Sequence, residues 1–525
     1  MFAVYNLVTM KNQISQIQCK TFERNGQQMF ALNTEVEIPE TWEVRFIDAE
    51  LEKLDYSRLY GVLRRKGRKS AVDSKTMFKV IVYAYERGIY SSRKIEEACR
   101  LRIDFRWLLN GEKIPDHCAI SRFRKKHSEE LENLFFQYVR VLRAEKETDH
   151  EVVFIDGTKV ESRAGRYTFV WRGRIEKDLA KTKAKLYETT GTENVTEAEA
   201  KVAELVSGLV FVTGKGHHKS EKQKEAENLL ELLERIHRYE KALEIMGPDR
   251  NSYSKTDPDA TFMRMKEDHM RNGQLKPGYN LQFAVNSEYI TGLEIYADRT
   301  DTKTLIPFLK AMEEQHGEKY KKVCADAGYE SYDNYCYLEE NGQLSFIKPT
   351  NYEAKRTKKY RQQIGRMENM TYIEEGDCFV CAEGRILQKA YDTTDTKGIY
   401  PRMRTYYRCE DCSHCSKRSL CSKAKSLETP KEICVTKGFE EARRKSEKNL
   451  GTAEGIRIRV SRSIQVEGAF GVMKQDYGFR RFLTFQKKNV RIELFYFALG
   501  FNLRKRYNKV AKNREKTHYN YENSA

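Results

Sequence analysis

The spacing of apolar residues predicts helices near the start of the chain. Between residues 51 and 142, apolar side chains recur every three or four positions, which is typical of helices with one buried face. Ser74 and Ser128 are the expected N-caps of two of these helices. Their apolar stripes are Met77, Val80, Ile81 and Ala84 in one helix and Leu131, Leu134, Phe135, Tyr138 and Leu142 in the other. We therefore predict a helical domain at 51–148, preceded by an irregular polar arm at 1–50.

After residue 148 the pattern changes and predicts buried strands. The stretch EVVFIDGTKV at 151–160 is rich in β-branched and apolar residues, as buried strands are. Apolar and polar residues alternate from Gly278 onward, with a break at Asn286 and Ser287, which predicts a β-hairpin. The other elements expected before residue 350 are strands at 321–325 and 344–347, a helix at 332–340 and an inserted helical hairpin at 173–250.

These elements predict a mixed α/β fold with two insertions. Residues 350–455 break the pattern and carry a cluster of cysteines, and helices are expected again at 456–477 and 489–506. The predicted organisation is a helical domain at 51–148, a core at 149–349 and 456–510, a helical insertion at 173–250, a cysteine-rich insertion at 350–455 and a basic tail at 511–525.

The charge of the chain narrows the class of its partner. The 525 residues carry a formal net charge of +18, and the pI is near 9.1. Such a surplus favours a polyanionic partner, of which DNA and RNA are the commonest, although a generic basic protein is the alternative. No apolar run is long enough to span a membrane, and the first residues are too polar for a signal peptide. We expect an intracellular protein with no membrane partner.

The cysteines predict a metal site in the second insertion. Six of the twelve lie between residues 378 and 421, and in a reducing compartment such crowding indicates metal more than disulfides. Two CxxC units have the spacing of a zinc ribbon. The expected ligands of a structural Zn²⁺ are Cys378, Cys381, Cys409 and Cys412, with Cys415, Cys421 and His414 as alternatives. Ordinary reduced cysteines or an iron–sulfur cluster remain open.

Three acidic residues are candidates for a different chemistry. Asp156, in FIDGTK, and Asp326, in CADAGYES, are expected at the ends of strands, each with a glycine close behind. The alternative is that each aspartate caps a turn. Glu467 is expected on a helix, where Lys474 lies about two turns further along the same face. A surface ion pair is the alternative for these two.

The order of these features resembles that of the DDE transposases of bacterial insertion sequences, which have a ribonuclease-H-like catalytic core. The resemblance is carried by FIDGTKVES, KPGYNLQFAV, ADAGYES and VEGAFGVMKQDYGFRRF, which occur in the family's order and cover most of the chain. It implies that Asp156, Asp326 and Glu467 are a catalytic triad and that Lys474 contacts the transposon end. It also implies end recognition by the helical N-terminal domain and a homodimer on double-stranded DNA, near the bacterial nucleoid.

The implied reaction is metal-dependent cleavage and transfer of DNA strands. Two Mg²⁺ or Mn²⁺ ions about 4 Å apart activate an oxygen nucleophile and stabilise a leaving oxygen, and carboxylates suit these hard ions. One residue departs from the family's pattern. Ser463 occupies the position four before Glu467, where related chains often carry an arginine, and Arg462 lies five before. A regular helix turns Arg462 well off the Glu467 face, so a phosphate contact there requires a local distortion.

Basic residues in several parts of the chain are candidates for DNA contact. Phosphate binding is expected of some of them, with ordinary solvated charges as the alternative. The set is Arg64, Arg65, Arg122, Arg124, Lys125, Arg462, Lys474, Arg480 and Arg481. Two further functions stay open: a catalytically silent DNA-binding protein derived from a transposase, and a ribonuclease-H-like nuclease that acts alone.

Overall fold

The structure is a computed structural model that describes residues 34–61, 71–212, 218–266, 273–424, 426 and 429–511. Its first part is helical, as predicted. The helices are α1 Thr34–Glu37, α2 Glu43–Glu52, α3 Ser57–Gly61, α4 Ser74–Glu86, α5 Ser92–Leu101, α6 Ile103–Leu109, α7 His117–Lys126 and α8 Ser128–Ala144.

Three details of this helical part differ from the prediction, the first being that Ser128 is the first residue of α8 and follows the N-cap His127, so it is not the cap. The prediction of an irregular arm up to residue 50 is wrong for the last part of the arm, because α2 begins at Glu43 and buries Ile47 and Leu51 against the core. Asp73 caps α4 in place of Ser74, since its carboxylate accepts a hydrogen bond from the backbone N–H of Lys75.

A mixed sheet forms the centre of the molecule. Its strands are β1 Val152–Glu161, β4 Thr261–Arg264, β5 Leu275–Asn286, β6 Tyr289–Tyr296, β7 Lys322–Ala325 and β8 Leu344–Ile347. The order is β4-β5-β1-β7-β8, and β6 shares the outer edge of β5 with β4. Strands β1, β5 and β6 are antiparallel, whereas β1, β7 and β8 run parallel. The predicted hairpin and short strands are therefore confirmed.

The first insertion is a set of three helices. They are α9 Arg172–Thr190, α10 Val195–Ser207 and α11 Glu221–Met246, and a short pair of strands, β2 Phe169–Trp171 and β3 Ser252–Ser254, closes their base. Leu186, Val202 and Ile236 form part of a separate small core. The prediction of a helical hairpin was wrong because the shorter α10 completes that core.

The cysteine-rich insertion is built on an antiparallel sheet. Its strands are β9 Thr371–Ile373, β10 Cys378–Val380, β11 Ile386–Asp395, β12 Arg402–Cys409 and β13 Glu432–Val435, in the order β13-β12-β11-β10-β9. Two single-turn helices accompany it, α14 Lys358–Arg361 and α15 Arg418–Cys421.

Three helices cover one face of the central sheet, and the last of them, α16, also contacts the second sheet. They are α12 Leu305–His316, α13 Tyr332–Glu340 and α16 Lys437–Gly451. Although α16 was placed in the insertion by sequence, it packs on the central sheet, where the Ser446 hydroxyl donates a hydrogen bond to the carbonyl of Ile347 over 2.9 Å. The structural boundary of the insertion therefore lies before α16.

The last helices cover the other face of the central sheet. They are α17 Ala453–Arg462, a π-helical turn at Ser463–Glu467, α18 Gly468–Lys474 and α19 Lys487–Ala511. Helix α19 packs against α4, α8 and β6, so the helical part and the sheet share a hydrophobic core. A Cβ at Gly500 would lie only 2.8 Å from the backbone nitrogen of Glu86, so the two helix backbones meet closely there.

Candidate active site

Asp156 and Asp326 meet where two parallel strands lie side by side. In the pairing of β1 with β7, Ile155 is opposite Ala325, so the next residue on each strand is an aspartate. Strand β7 ends there, but β1 continues to Glu161. Asp156 thus lies inside a strand, contrary to the prediction of a strand end. It reaches the site because the neighbouring strand β7 ends beside it. Asp326 also caps the following turn, accepting a 2.8 Å hydrogen bond from the N–H of Gly328.

The helical segment that carries Glu467 packs across the same end of the sheet. Val466, Phe470 and Met473 are buried against the sheet, and the rings of Phe470 and Phe283 stack with their centroids 4.8 Å apart. Phe283 is the residue opposite Asp156 in the pairing of β1 with β5. This contact places the segment directly over Asp156, while the Glu467 side chain remains 55% exposed.

Arg462 bridges the two sides of this site. Its guanidinium donates a 2.8 Å hydrogen bond to Glu467 and lies 3.5 Å from the carboxylate of Asp156. The expectation that Arg462 turns off the Glu467 face is wrong for this chain. A π-helical turn occupies Ser463–Glu467, and its i→i+5 hydrogen bonds make five residues span about one turn. The inserted residue thus restores the contact that four-residue spacing gives in a regular helix.

Burial and neighbouring charge act together on Asp156. The pKa of Asp156 is raised to about 6, chiefly by burial and also by the nearby Asp326 carboxylate, while Lys266 and Arg462 oppose the shift. The Asp156 side chain is only 8% exposed. A buried carboxylate beside a second one is stabilised by a cation, so the local electrostatics favour positive charge at this point.

Lys266 was not recognised from the sequence. Its ammonium group donates a 3.1 Å hydrogen bond to the carbonyl of Gly157, immediately after Asp156. The residue lies beyond a short strand in an irregular segment, so neither periodicity nor motif indicated it.

Asp301 was also missed, and it supports the other side of the site. Its carboxylate accepts hydrogen bonds from the side-chain amides of Asn280 at 2.7 Å and Gln282 at 3.0 Å. Gln282 in turn accepts a hydrogen bond from the hydroxyl of Tyr329, in the turn that follows Asp326. A side chain at Gly157 would collide with Gln282 and Asp301, so the glycine is needed for packing, and no positive φ is involved. This network links β1, β5 and the Asp326 turn.

The cysteines converge elsewhere, in a cavity we call the cysteine cavity. It has a volume of about 20 Å³, and five cysteines line it: Cys381, Cys409, Cys412, Cys415 and Cys421. Cys378 is buried in β10 but does not line the cavity, and His414 is exposed outside it. The thiols are free, the N–H of Lys431 donates to the sulfur of Cys412 over 3.4 Å, and burial raises the pKa of Cys409 to about 11.

Neither cluster forms a recognisable metal site as it stands. Among the residues that the structure describes, no group of three or more His, Cys, Asp and Glu side chains is arranged to hold an ion. The magnesium ligands Asp156, Asp326 and Glu467 and the zinc ligands therefore stay predictions.

The candidate DNA contacts separate into exposed and structural residues. Arg122 and Lys125 are exposed on α7, and Arg480 and Arg481 are exposed after α18. Arg124 was expected to contact DNA, but it donates to the carbonyl of Tyr90 and lies over the rings of Tyr85 and Tyr496, which makes it a packing residue. Lys474 is half-buried at the end of α18, while Arg64, Arg65 and the tail after residue 511 lie outside the described residues.

Comparison with known families found two family models that match the chain, one in its N-terminal part and one in its C-terminal part. A family model described as a transposase DDE domain matches residues 380–507, and one described as a transposase domain (DUF772) matches residues 33–126. Over these two stretches the chain is similar to transposases, and residues 380–507 are similar to their DDE domain. A search of curated proteins found no match.

The matched regions correspond to parts of the fold. The DUF772 match covers α1 to α7 of the helical part, and the DDE match runs from β10 through the cysteine cavity to α19, including Glu467 and Lys474 but neither aspartate. In the part of the chain that the structure describes, no helix is both long and apolar enough to cross a membrane.

Proposed function

We propose that the protein is a transposase that binds the ends of an insertion sequence and catalyses metal-dependent cleavage and transfer of DNA strands. The observation that carries the proposal is the convergence of Asp156, Asp326 and Glu467 at one end of the central sheet, with Arg462 between Asp156 and Glu467. The sheet order β6-β5-β1-β7-β8, antiparallel then parallel, supports assignment to the ribonuclease-H-like folds.

The residues of the site suit the binding of two divalent ions. Asp156, Asp326 and Glu467 offer carboxylate oxygens, which Mg²⁺ and Mn²⁺ prefer, and the raised pKa of the buried Asp156 supports the binding of a cation beside it. When bound, two such ions activate an oxygen nucleophile and stabilise the leaving oxygen of a phosphodiester. Arg462 orients Glu467 toward Asp156, and we assign to Lys474, two turns further along, the contact with the DNA strand beside the cut.

The cysteine cavity is assigned a structural role in this proposal. Thiolates are poor ligands for Mg²⁺ but good ones for Zn²⁺, so we assign to the cavity a zinc ion that stabilises the insertion. The four ligands are drawn from the five lining cysteines, and Cys378 is left out. Because the insertion has only a small core of its own, a metal contributes directly to its folding.

The experiment that tests the function uses plasmid DNA with and without the ends of the encoding element. With Mg²⁺, the protein is expected to nick end-bearing plasmid at the element boundary and to join the freed 3′-hydroxyl to a second DNA. A catalytically silent DNA-binding protein would retain end binding with no nicking. A stand-alone nuclease would cut both plasmids equally, without joining products. Each of these two results contradicts the proposal.

A further inference from the structure

A groove of about 760 Å³ lies between the helical part and the catalytic core, and we call it the seam groove. One wall is made by α5 and α7, which carry Arg93 and Lys125. The opposite wall is made by Arg163, just after β1, and Arg481, in the segment between α18 and α19. Both walls therefore carry positive charge, although they belong to different parts of the fold.

The charges on the helical wall face solvent. Arg93 and Lys125 are exposed, and no ion pair with a carboxylate is found for either among the described residues. Lys125 lies beside Lys126 in the last turn of α7. The positive charge there comes from these side chains and not from the helix dipole, whose positive end is at the N-terminus. Two exposed cations at the rim of a groove attract an anion more strongly than two that are already paired.

The charges on the core wall are held in place by the backbone. Arg163 donates a 2.8 Å hydrogen bond to the carbonyl of Leu483, and Arg481 donates a 3.0 Å hydrogen bond to the carbonyl of Ser162. The Glu161 carboxylate lies 3.9 Å from the Arg481 guanidinium, beyond hydrogen-bond distance. Glu493 also lines the groove, but it is 1% exposed and turned inward, where it accepts a hydrogen bond from the N–H of Leu483. Carbonyl partners position these guanidinium groups without cancelling their charge.

We propose that the seam groove binds the phosphate backbone of duplex DNA, so that one duplex contacts the helical part and the core at the same time. This inference rests on the proposed function and adds the path of the DNA. Cations on both walls match a polymer that carries one charge per ~1.7 Å of its axis. The segment with Arg481 leads back directly to α18, which follows Glu467, so a duplex in the groove is guided toward the carboxylates.

The first test measures the salt dependence of binding to an end-bearing duplex by the full-length protein. The variant R93A/K125A is expected to bind about ten- to a hundredfold more weakly at 0.1 M salt. The slope of log K against log salt should fall by up to ~1.8, since each lost phosphate contact removes ~0.9. The matched control is R238A/K241A on α11, where both residues are equally exposed, and it should bind like the wild type.

The second test locates the DNA with cysteines that the chain already has. Cys118 is exposed and lines the seam groove, whereas Cys434 is exposed on β13 of the second sheet. Bound duplex is expected to slow maleimide labelling of Cys118, measured peptide by peptide, at least about fivefold, and to leave Cys434 unchanged. The fivefold figure corresponds to ~80% occupancy of a shielded site.

The outcomes distinguish the inference from the function on which it rests. Unchanged affinity and slope in R93A/K125A, or labelling of Cys118 unaffected by saturating duplex, overturns the seam groove while wild-type nicking of end-bearing DNA still supports the transposase. A wild-type protein that neither binds nor nicks such DNA overturns both.

Discussion

The carboxylates and the cysteine cavity are both collections of possible metal ligands, but the chain assembles them differently. Asp156 and Asp326 are placed by strand pairing and Glu467 by a helical segment packed on the sheet, and the site remains open on the Glu467 side. The cysteines are brought together mostly by turns and strand ends around a volume of about 20 Å³. The open site suits a large substrate, and the closed one suits a permanent ion.

This difference predicts opposite responses to loss of a ligand. The cysteine cavity is expected to contribute to folding, so removing one thiol should destabilise the insertion, whereas the carboxylates repel one another and contribute little to stability.

The largest effect on stability is expected from Cys412→Ser. Replacing this thiol should remove bound zinc and lower the free energy of unfolding of the insertion by at least about 3 kcal/mol, a fraction of the ~10–16 kcal/mol with which zinc binds small domains. Metal analysis and thermal unfolding provide the measurements. Cys434→Ser, at an exposed position outside the cavity, is the control and should keep both the metal and the stability. A wild-type protein that is fully stable without bound metal would show that the cysteine cavity, like the carboxylates, does not depend on an ion for folding.

Arg462→Ala should reduce strand cleavage about a hundredfold, because the guanidinium contacts both Asp156 and Glu467. A loss of that size corresponds to ~2.7 kcal/mol of transition-state stabilisation. Cleavage at saturating DNA separates this effect from weaker binding. The control is Arg444→Ala on the exposed part of α16, which should retain the wild-type rate. Equal rates for both variants would show that the bridge has no role in the reaction.

Asp301→Asn should lower the cleavage rate about tenfold, or ~1.4 kcal/mol, while DNA affinity stays unchanged. The amide cannot accept the hydrogen bonds from Asn280 and Gln282 with the same strength, so the turn after Asp326 loses part of its support. Because the role is one of positioning, Asp301→Glu is expected to restore part of the rate. A variant that loses DNA binding as much as it loses cleavage would contradict this role.

Deleting Ser463 is expected to have the smallest effect, a change in cleavage rate within about tenfold. Removing one residue converts the π-helical turn to an α-helical one and leaves the arginine four residues before the glutamate, so the contact between them is kept. The comparison is an alanine inserted after Ser463, which turns the arginine away. Similar activity of the two variants would refute the explanation of the five-residue spacing.

The sequence predicted those parts of the fold in which side-chain pattern and backbone structure agree. The strands around Asp156 and Asp326 are continuous apolar runs, and the hairpin after Gly278 alternates clearly. The π-helical turn was not predicted, because a single inserted residue leaves the apolar pattern of a helix almost unchanged. Asp301 was missed because it lies in a connecting segment between β6 and α12.

For the cysteines and the basic residues, the local sequence carried less information about their positions in the fold. CxxC spacing indicates that two thiols are close in sequence, but it does not show which of them faces a common cavity, and β10 turns Cys378 away from it. Likewise, Arg124 belongs to a basic run, yet folding alone brings two tyrosine rings from distant parts of the chain beneath it. Contacts between distant segments are not encoded in local pattern.

The central claim is that Asp156, Asp326 and Glu467 form one phosphodiester-cleaving site. The most direct test is the rate of Mg²⁺-dependent nicking at the element end by Asp326→Asn, compared with Asp476→Asn, which changes an exposed aspartate nine residues after Glu467. Because Asp326 is assigned as a ligand of the metal ions in this site, Asp326→Asn is expected to lose at least about 10³-fold in rate, ~4 kcal/mol, with DNA binding retained, and Asp476→Asn should keep the wild-type rate. Nicking by Asp326→Asn at the wild-type rate would contradict this claim.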